Sequence, residues 1–532
     1  MLDIPELDDI IYQRLGRHDM AQCARVCKKW HFVAISYLWR DLTCLEDSYK
    51  RRLSFCNVVH EDYLREQRRR KLQDEGLAMD QSIQDHPSPL SPLSKYGSQI
   101  QSLPGPLTLR HAFASHEPLF HLFSLCPSDV QVEVLRIRFG DLSLVPGSPW
   151  KSIMDFTFPR LRQLNINICF NRHCPGISKL MGLLDQCSTV LERLKLDLEV
   201  YGDQIEYDDK MEEQTEKEPN CWASLKELNL HECTDTTDTK RFWPWLFRRC
   251  NSVERLIVDK CYGIFQSLEQ GMQTHMPNLR ELNLGCQQGR TIGMTGDVTA
   301  ALLSGPRNGW RALRFGHETL FGKAAMDALA NNFSTLELVQ TEGCRDLSTS
   351  NIIQVLRSCT NLHTLGLTNP QWNSFYTIDA RRFIDQDPDT GSLVPWKCER
   401  SLKVLKVTIN GIPKPDMSGY YVIAEAYPGQ GREIQGLVYD RLARLTNLES
   451  LWLGDSSFSL EISLESGLGK LSELRSLKEL IAMSFKLKFG VKEAQWMTEH
   501  WPRLCRLGNY WYGNEAHGWL QEHHPAIELM KG

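Results

Sequence analysis

The 532-residue chain lacks most of the patterns that would make it an enzyme, a membrane protein or a secreted one. No apolar run approaches the roughly 20 residues of a membrane span. The opening MLDIPELDDIIYQRLGRHD lacks the charged-then-apolar layout of a secretion signal. The charge excess is small, −5 by formal count, which argues against a nucleic-acid-binding surface. There is no C-x-x-C pair, so the 17 cysteines offer no zinc clip. HEPLFH at 116 has one residue too many for H-E-x-x-H. GLGKLS at 467 puts Leu471 where a phosphate-binding loop needs a hydroxyl, and no G-x-S-x-G elbow occurs. His517, His523 and His524 stand in a polar tail without a second cluster. The expectation is a protein without a catalytic residue, metal or cofactor. It should bind neither nucleic acid nor membrane, and its thiols should be reduced, in the cytoplasm and/or the nucleus.

What the sequence does have is a rhythm. Val253, Leu256 and Val258 are spaced L-x-x-L-x-L, and Cys261 stands three residues beyond. The spacing returns at Leu161/Leu164/Ile166, Leu225/Leu228/Leu230 and Leu336/Val339/Thr341, closed by Cys169, Cys233 and Cys344. Without the cysteine it returns at Leu279, Trp310, Leu362, Leu402 and Leu448, with weaker copies at Val132, Leu191, Leu477 and Leu504. These about thirteen units, mostly roughly 26 to 34 residues apart, carry the leucine-rich-repeat signature. Each unit predicts one short strand whose apolar side chains enter a shared core, and a helix that closes the coil. SKLMGLLDQC, RFWPWLFRRC and SNIIQVLRSC have helical apolar spacing and end in Cys187, Cys250 and Cys359. A strand separates Cys250 from Cys261, which puts them beyond disulfide reach and makes both buried structural thiols.

Alternation places the residues between the core positions on the concave strand face. Solenoids bind proteins on such surfaces. The candidate substrate contacts are Arg136, Arg138, Arg193, Lys195, His231, Arg314 and an exposed Trp452. A C-x-x-L-x-x-L-x-L-x-x-C rhythm resembles the cysteine-containing repeats of F-box proteins.

Residues 4 to 42 read as three short helices. Pro5 suits a first helical position, and Leu7, Ile10, Ile11 and Leu15 share one face before Gly16. Asp19 and Gln22 make a capping-box-like pair ahead of Met20, Cys23, Val26, Cys27 and Trp30. So small a core is marginal alone and invites a partner. The stretch resembles an F-box: an Ile-Pro start, a helix, a turn with Asp, V-x-x-x-W, then Leu38-Trp39. The resemblance departs from the commonest pattern at Ile4, Asp8 and Asp9. It implies docking on a Skp-type adaptor, and through it on a cullin–RING ubiquitin ligase, by Ile4, Pro5, Leu7, Ile11, Leu15, Cys27, Trp30, Leu38 and Trp39.

The expected organisation is an all-α F-box over 1–46, a charged and Pro/Ser-rich linker over 47–106, and an α/β leucine-rich-repeat solenoid over 107–532. The solenoid would carry inserted loops at 202–220, 385–396 and 411–436. The implied function is a non-catalytic substrate adaptor of a ubiquitin ligase. The alternative is a ligase-independent interaction scaffold.

Overall fold

A computed structural model describes residues 160–170, 177–187, 189–200, 221–234, 241–285, 295–316, 319–344, 346–369, 374–375, 377–412, 430–453, 460–482, 489–509 and 515–531, with the backbone of strands at 107–108 and 134–139. The chain divides into two compact units. The first runs to Glu254 and includes Cys261–Met276. The second comprises Arg255–Lys260 and the chain from Pro277.

Strands β1 (Leu107–Thr108), β2 (Val134–Phe139), β3 (Gln163–Phe170), β4 (Arg193–Val200) and β5 (Glu227–His231) belong to the first unit. They lie side by side in chain order, all parallel. Parallel neighbours need a crossover connection. Helix α1 (Ile177–Cys187) connects β3 to β4. Helices α2 (Phe242–Phe247) and α3 (Phe265–His275) follow β5 in this unit. The repeat leucines enter the core: Leu161, Leu164, Leu191, Leu194, Leu225, Leu228 and Leu230 are all essentially inaccessible to solvent. Opposite them α2 buries Phe242, Trp243, Trp245 and Phe247. A Cβ on Gly271 of α3 would stand 2.7 Å from the Phe247 Cβ, so only glycine lets α3 pack that closely.

The second unit repeats the scheme. Parallel strands follow in order: β6 (Arg255–Asp259), β7 (Glu281–Leu284), β8 (Ala312–Phe315), β9 (Leu338–Glu342) and β10 (Thr364–Asn369). Two short strands, β11 (Ser374–Phe375) and β12 (Thr377–Asp379), intervene before β10 pairs with β13 (Val404–Asn410). The series ends with β14 (Ser450–Leu453), β15 (Glu479–Ala482), β16 (Arg506–Asn509) and β17 (Glu528–Lys531). Between the strands run α4 (Gly296–Leu303), α5 (Lys323–Ala330), α6 (Thr349–Ser358), α7 (Ala380–Ile384), α8 (Gln430–Ala443), a 3-10 turn (Leu468–Glu473), α9 (Val491–His500) and α10 (Glu515–His523). Local chemistry starts the helices. The Thr295 hydroxyl accepts from the Val298 N–H at 3.3 Å, and Ser348 forms a capping box with Asn351. Strand–helix units stacked in chain order, each supplying its leucines to a common core, are the leucine-rich-repeat architecture.

The cysteines behave as short apolar side chains with one weak donor. Cys233 and Cys261 donate to the carbonyls of Leu196 and Leu230, one strand back, at 3.6 and 3.4 Å. Cys250 instead donates to Leu246 within its own turn, at 3.2 Å. Burial pushes the Cys187, Cys359 and Cys398 thiols up to about 12, so they stay protonated and unreactive.

The expected loop over 411–436 needs a correction. Helix α8 already begins at Gln430. Ile434, Val438 and Leu442 recur at spacings of four and are buried, so the residues from 430 are a repeat helix. The GQGRE stretch disguises its start. The stretch expected to loop over 202–220 lies outside the described residues. The one over 385–396 is an ordered turn closed by an antiparallel bridge between Gln386 and Leu393.

Candidate protein-binding surface

Strand alternation leaves one face of the sheet to charged and polar side chains. In the first unit, register assembles them into rows. Gln163, Arg193 and Glu227 form one, Asn165, Lys195 and Asn229 the next, and Asn167, Asp197 and His231 the third. Arg193 is exposed, and Lys195 and His231 are half-buried. Arg136 and Arg138 pair in backbone register with Asn165 and Asn167. The basic positions are therefore brought onto one sheet.

They are not alone there. Asp197 is 8% exposed and sits among them. The Asn167 amide donates to its Oδ2 at 2.5 Å, and His231 Nδ1 lies 3.3 Å from the same oxygen. The six-residue L-x-x-L-x-L template stops at Leu196, whereas β4 runs to Val200. Leu198 continues the alternation, which was the available signal that Asp197 shares the face.

The second unit changes character along its strands. At one end the Arg314 guanidinium donates through Nε to the Gln340 side chain at 2.9 Å. Register carries that row through Gly366 to Lys406, Trp452, Ile481 and Gly508. Four strand steps of about 4.8 Å separate Arg314 from Trp452, roughly 19 Å, so these two do not meet. Trp452 is half-buried rather than exposed. The Lys406 ammonium lies 3.5 Å from its ring centroid and covers it. Burial pulls Lys406 below its ordinary value, Glu479 opposes this, and Arg506 adds to it. Ile481 and Glu479 are buried, and Ser450 donates to the Glu479 carboxylate at 2.5 Å. The weak Leu477 copy hid both residues.

One end of each sheet carries a feature that alternation does not reveal. The residue before β5, β10, β13 and β15, among others, bonds through its backbone to the equivalent residue of the preceding repeat. Lys226 N–H donates to Glu192 O, His363 to Glu337 O, Lys403 to His363 O, and Lys478 to Glu449 O. Their side chains pair as well: Lys226–Glu254 at 3.0 Å, Arg311–Glu337 at 2.8 Å, Lys478–Glu449 at 2.5 Å. The signal was the charged residue directly after the first leucine of many repeats.

On the helix side, Arg441 ties the 385–396 turn to α8. It is fully buried. Its guanidinium donates to Ile384, Asp385 and Val394 carbonyls and to the Glu399 carboxylate at 3.1 Å. It also stacks on Trp396, 4.5 Å from the ring centroid. Burial pushes Arg441 down to about 10, with Glu399 and Asp385 pulling it back up. It stays charged at neutral pH.

Among the described residues, no helix is long and apolar enough to cross a membrane. Ile4, Pro5, Leu7, Ile11, Leu15, Cys27, Trp30, Leu38 and Trp39 lie outside the described residues.

Comparison with known proteins adds to this geometry. Residues 10–45 match the F-box-like family. No curated protein matches the chain. Among solved structures the chain is similar to one from the crystal structure of the Rad7 and Elc1 complex in yeast. The identity is 14% and the TM-score 0.36, over 88% of this chain and 92% of that one. The chain thus joins an F-box-like segment at residues 10–45 to leucine-rich repeats.

Proposed function

We propose that the protein is the substrate-recognition subunit of a Skp–cullin–F-box ubiquitin ligase. The observation that carries this reading is the F-box-like match over residues 10–45 in a chain whose repeats expose a polar strand face. Ile11, Leu15, Cys27, Trp30, Leu38 and Trp39 fall within the matched residues, and Ile4, Pro5 and Leu7 precede them. These side chains dock on a Skp-type adaptor, in the cytoplasm or the nucleus. The chain performs no bond chemistry. It holds a substrate protein on the strand face while the F-box end holds the ligase, and effective concentration drives transfer. Arg193, Lys195 and His231 in one unit and Arg314 and Trp452 in the other are the contacts proposed, with Arg136 and Arg138 on β2.

Purified full-length chain should bind a Skp-type adaptor at equimolar ratio. The Pro5→Ala/Trp30→Ala double variant should lose that binding while keeping its circular dichroism spectrum. An intact chain that does not bind the adaptor leaves the ligase-independent scaffold as the reading.

A further inference from the structure

We propose that Asp197, His231 and Glu232 form a binding site for a divalent transition-metal ion of zinc-like preference on the strand face of the first unit. One ligand atom from each of the three lies within 4.8 Å of the others. The fold builds this meeting. Asp197 on β4 and His231 on β5 are register partners, and Glu232 is the next residue, where β5 ends.

A second observation points to a ligand. Asp197 is more than nine-tenths buried, and its two carboxylate oxygens are treated differently. Oδ2 accepts from Asn167 and faces His231. Oδ1 is buried and has no hydrogen-bond partner. Asn167 and the His231 imidazole account for Oδ2 and leave Oδ1 desolvated. A cation beside the carboxylate supplies what Oδ1 lacks, because a buried carboxylate oxygen without a partner is costly.

The donor set selects the kind of ion. Calcium and magnesium take oxygen donors, whereas an imidazole with carboxylates suits zinc and its neighbours. Tetrahedral bonds of about 2.0–2.2 Å put ligand atoms roughly 3.4 Å apart, so side-chain adjustments of about an ångström close the site. Cys233 is nearby but is not a ligand. Its thiol is engaged with the Leu196 and His231 carbonyls, at 3.6 and 3.4 Å. Asn167 plays the outer-shell part, fixing the carboxylate. Three protein donors leave a fourth position, and His231 and Glu232 are half-exposed. Water or a donor from a bound protein completes the coordination.

The test uses full-length protein stripped with a chelator and dialysed. Zinc competition against a fluorescent chelator should report one tight site per chain. Cobalt at the same site should show tetrahedral d–d absorption without a thiolate charge-transfer band. His231→Gln and Asp197→Asn should each weaken zinc by at least about 100-fold, and Asn167→Ala by about 10-fold. Glu232→Gln, at a half-exposed position, should weaken it without disturbing the fold, which guards against an Asp197 variant that misfolds. The proposal is overturned if zinc affinity is the same in His231→Gln and Glu232→Gln as in the parent. It is equally overturned if the tight cobalt site carries a thiolate band, or if no tight site exists. None of these outcomes depends on adaptor binding.

Discussion

The strand face of β3 to β5 and that of β13 to β16 are built on the same leucine spacing, yet they are chemically unlike. In the first, polar groups face one another: Asn167 donates to Asp197, and Asp197 lies beside His231. In the second, a lysine lies over a tryptophan and the neighbouring Ile481 is buried. The repeat specifies only the residues that enter the core. The positions between them are free to diverge, so one architecture can present two surface chemistries. The comparison separates two kinds of energy: a shared framework that should respond alike in both units, and local pairs that should not.

The largest effect should come from a buried framework element of the second unit, Arg441. Arg441→Met removes the donor from the Ile384, Asp385 and Val394 carbonyls and a buried cation from the Glu399 carboxylate, which keeps the Trp396 N–H and Arg444. Breaking a buried ion pair from one side costs about 3–5 kcal/mol. Hydrogen exchange in urea should show α8 and the 385–396 turn opening at a lower midpoint, while β3–β5 hold theirs. An unchanged α8 midpoint would show that the guanidinium is not integral to the packing.

Leu230→Ala and Leu451→Ala probe what the units share. Both leucines are 0% exposed, and each truncation should cost about 2–5 kcal/mol, read as the shift in the urea midpoint of amide exchange in its own unit. A cost below about 1 kcal/mol at either site would mean that its sheet is not packed like the other.

These leucines were the most legible part of the molecule. Spacing alone located Leu230, Leu284, Leu367 and Leu451, because a strand that buries one face must repeat its apolar residues every second position. The helices at Ile177–Cys187 and Thr349–Ser358 were equally readable. What escaped was whatever depends on a partner distant in sequence. Asp197 reads as an ordinary charged residue until register places it beside His231. Arg441 reads as a surface position of a helix until the turn over 385–396 is seen to fold around it. Trp452 was expected to be exposed because alternation describes the strand, not the lysine on the next one. Glycine-rich GQGRE concealed the start of α8 because local propensity there opposes the packing that wins.

Two double-mutant cycles sharpen the contrast between the faces. Asn167→Ala with Asp197→Asn should couple by about 1.5–3 kcal/mol, the range for a hydrogen bond to a charged group. Lys406→Met with Trp452→Leu should couple by about 0.5–2 kcal/mol, as a cation over a partly buried ring does. Both are measured as midpoint shifts in metal-free buffer. If the second coupling exceeded the first, the division into a polar, hydrogen-bonded face and a covered aromatic one would fail.

The smallest effect should come from the ladder of charges ahead of the strands. Glu449 takes Lys478 at 2.5 Å and Lys403 at 3.7 Å, in an exposed setting. Its hydrogen bond to Lys478 holds its carboxyl below the ordinary value, against an opposing contribution from burial. A carboxyl lowered on folding binds fewer protons in the folded chain than in the unfolded one. Its contribution is therefore complete above the unfolded value and disappears as the pH falls through the folded one. Lys478→Ala should cost at most about 1 kcal/mol at neutral pH, less in about 1 M salt, and nothing in acid. Alanine substitution leaves the Lys478 N–H bond to Glu449 O intact, so the strand register survives. A larger, salt-independent loss would mean that these side chains set the register themselves, and the backbone ladder would cease to be the reason the repeats align.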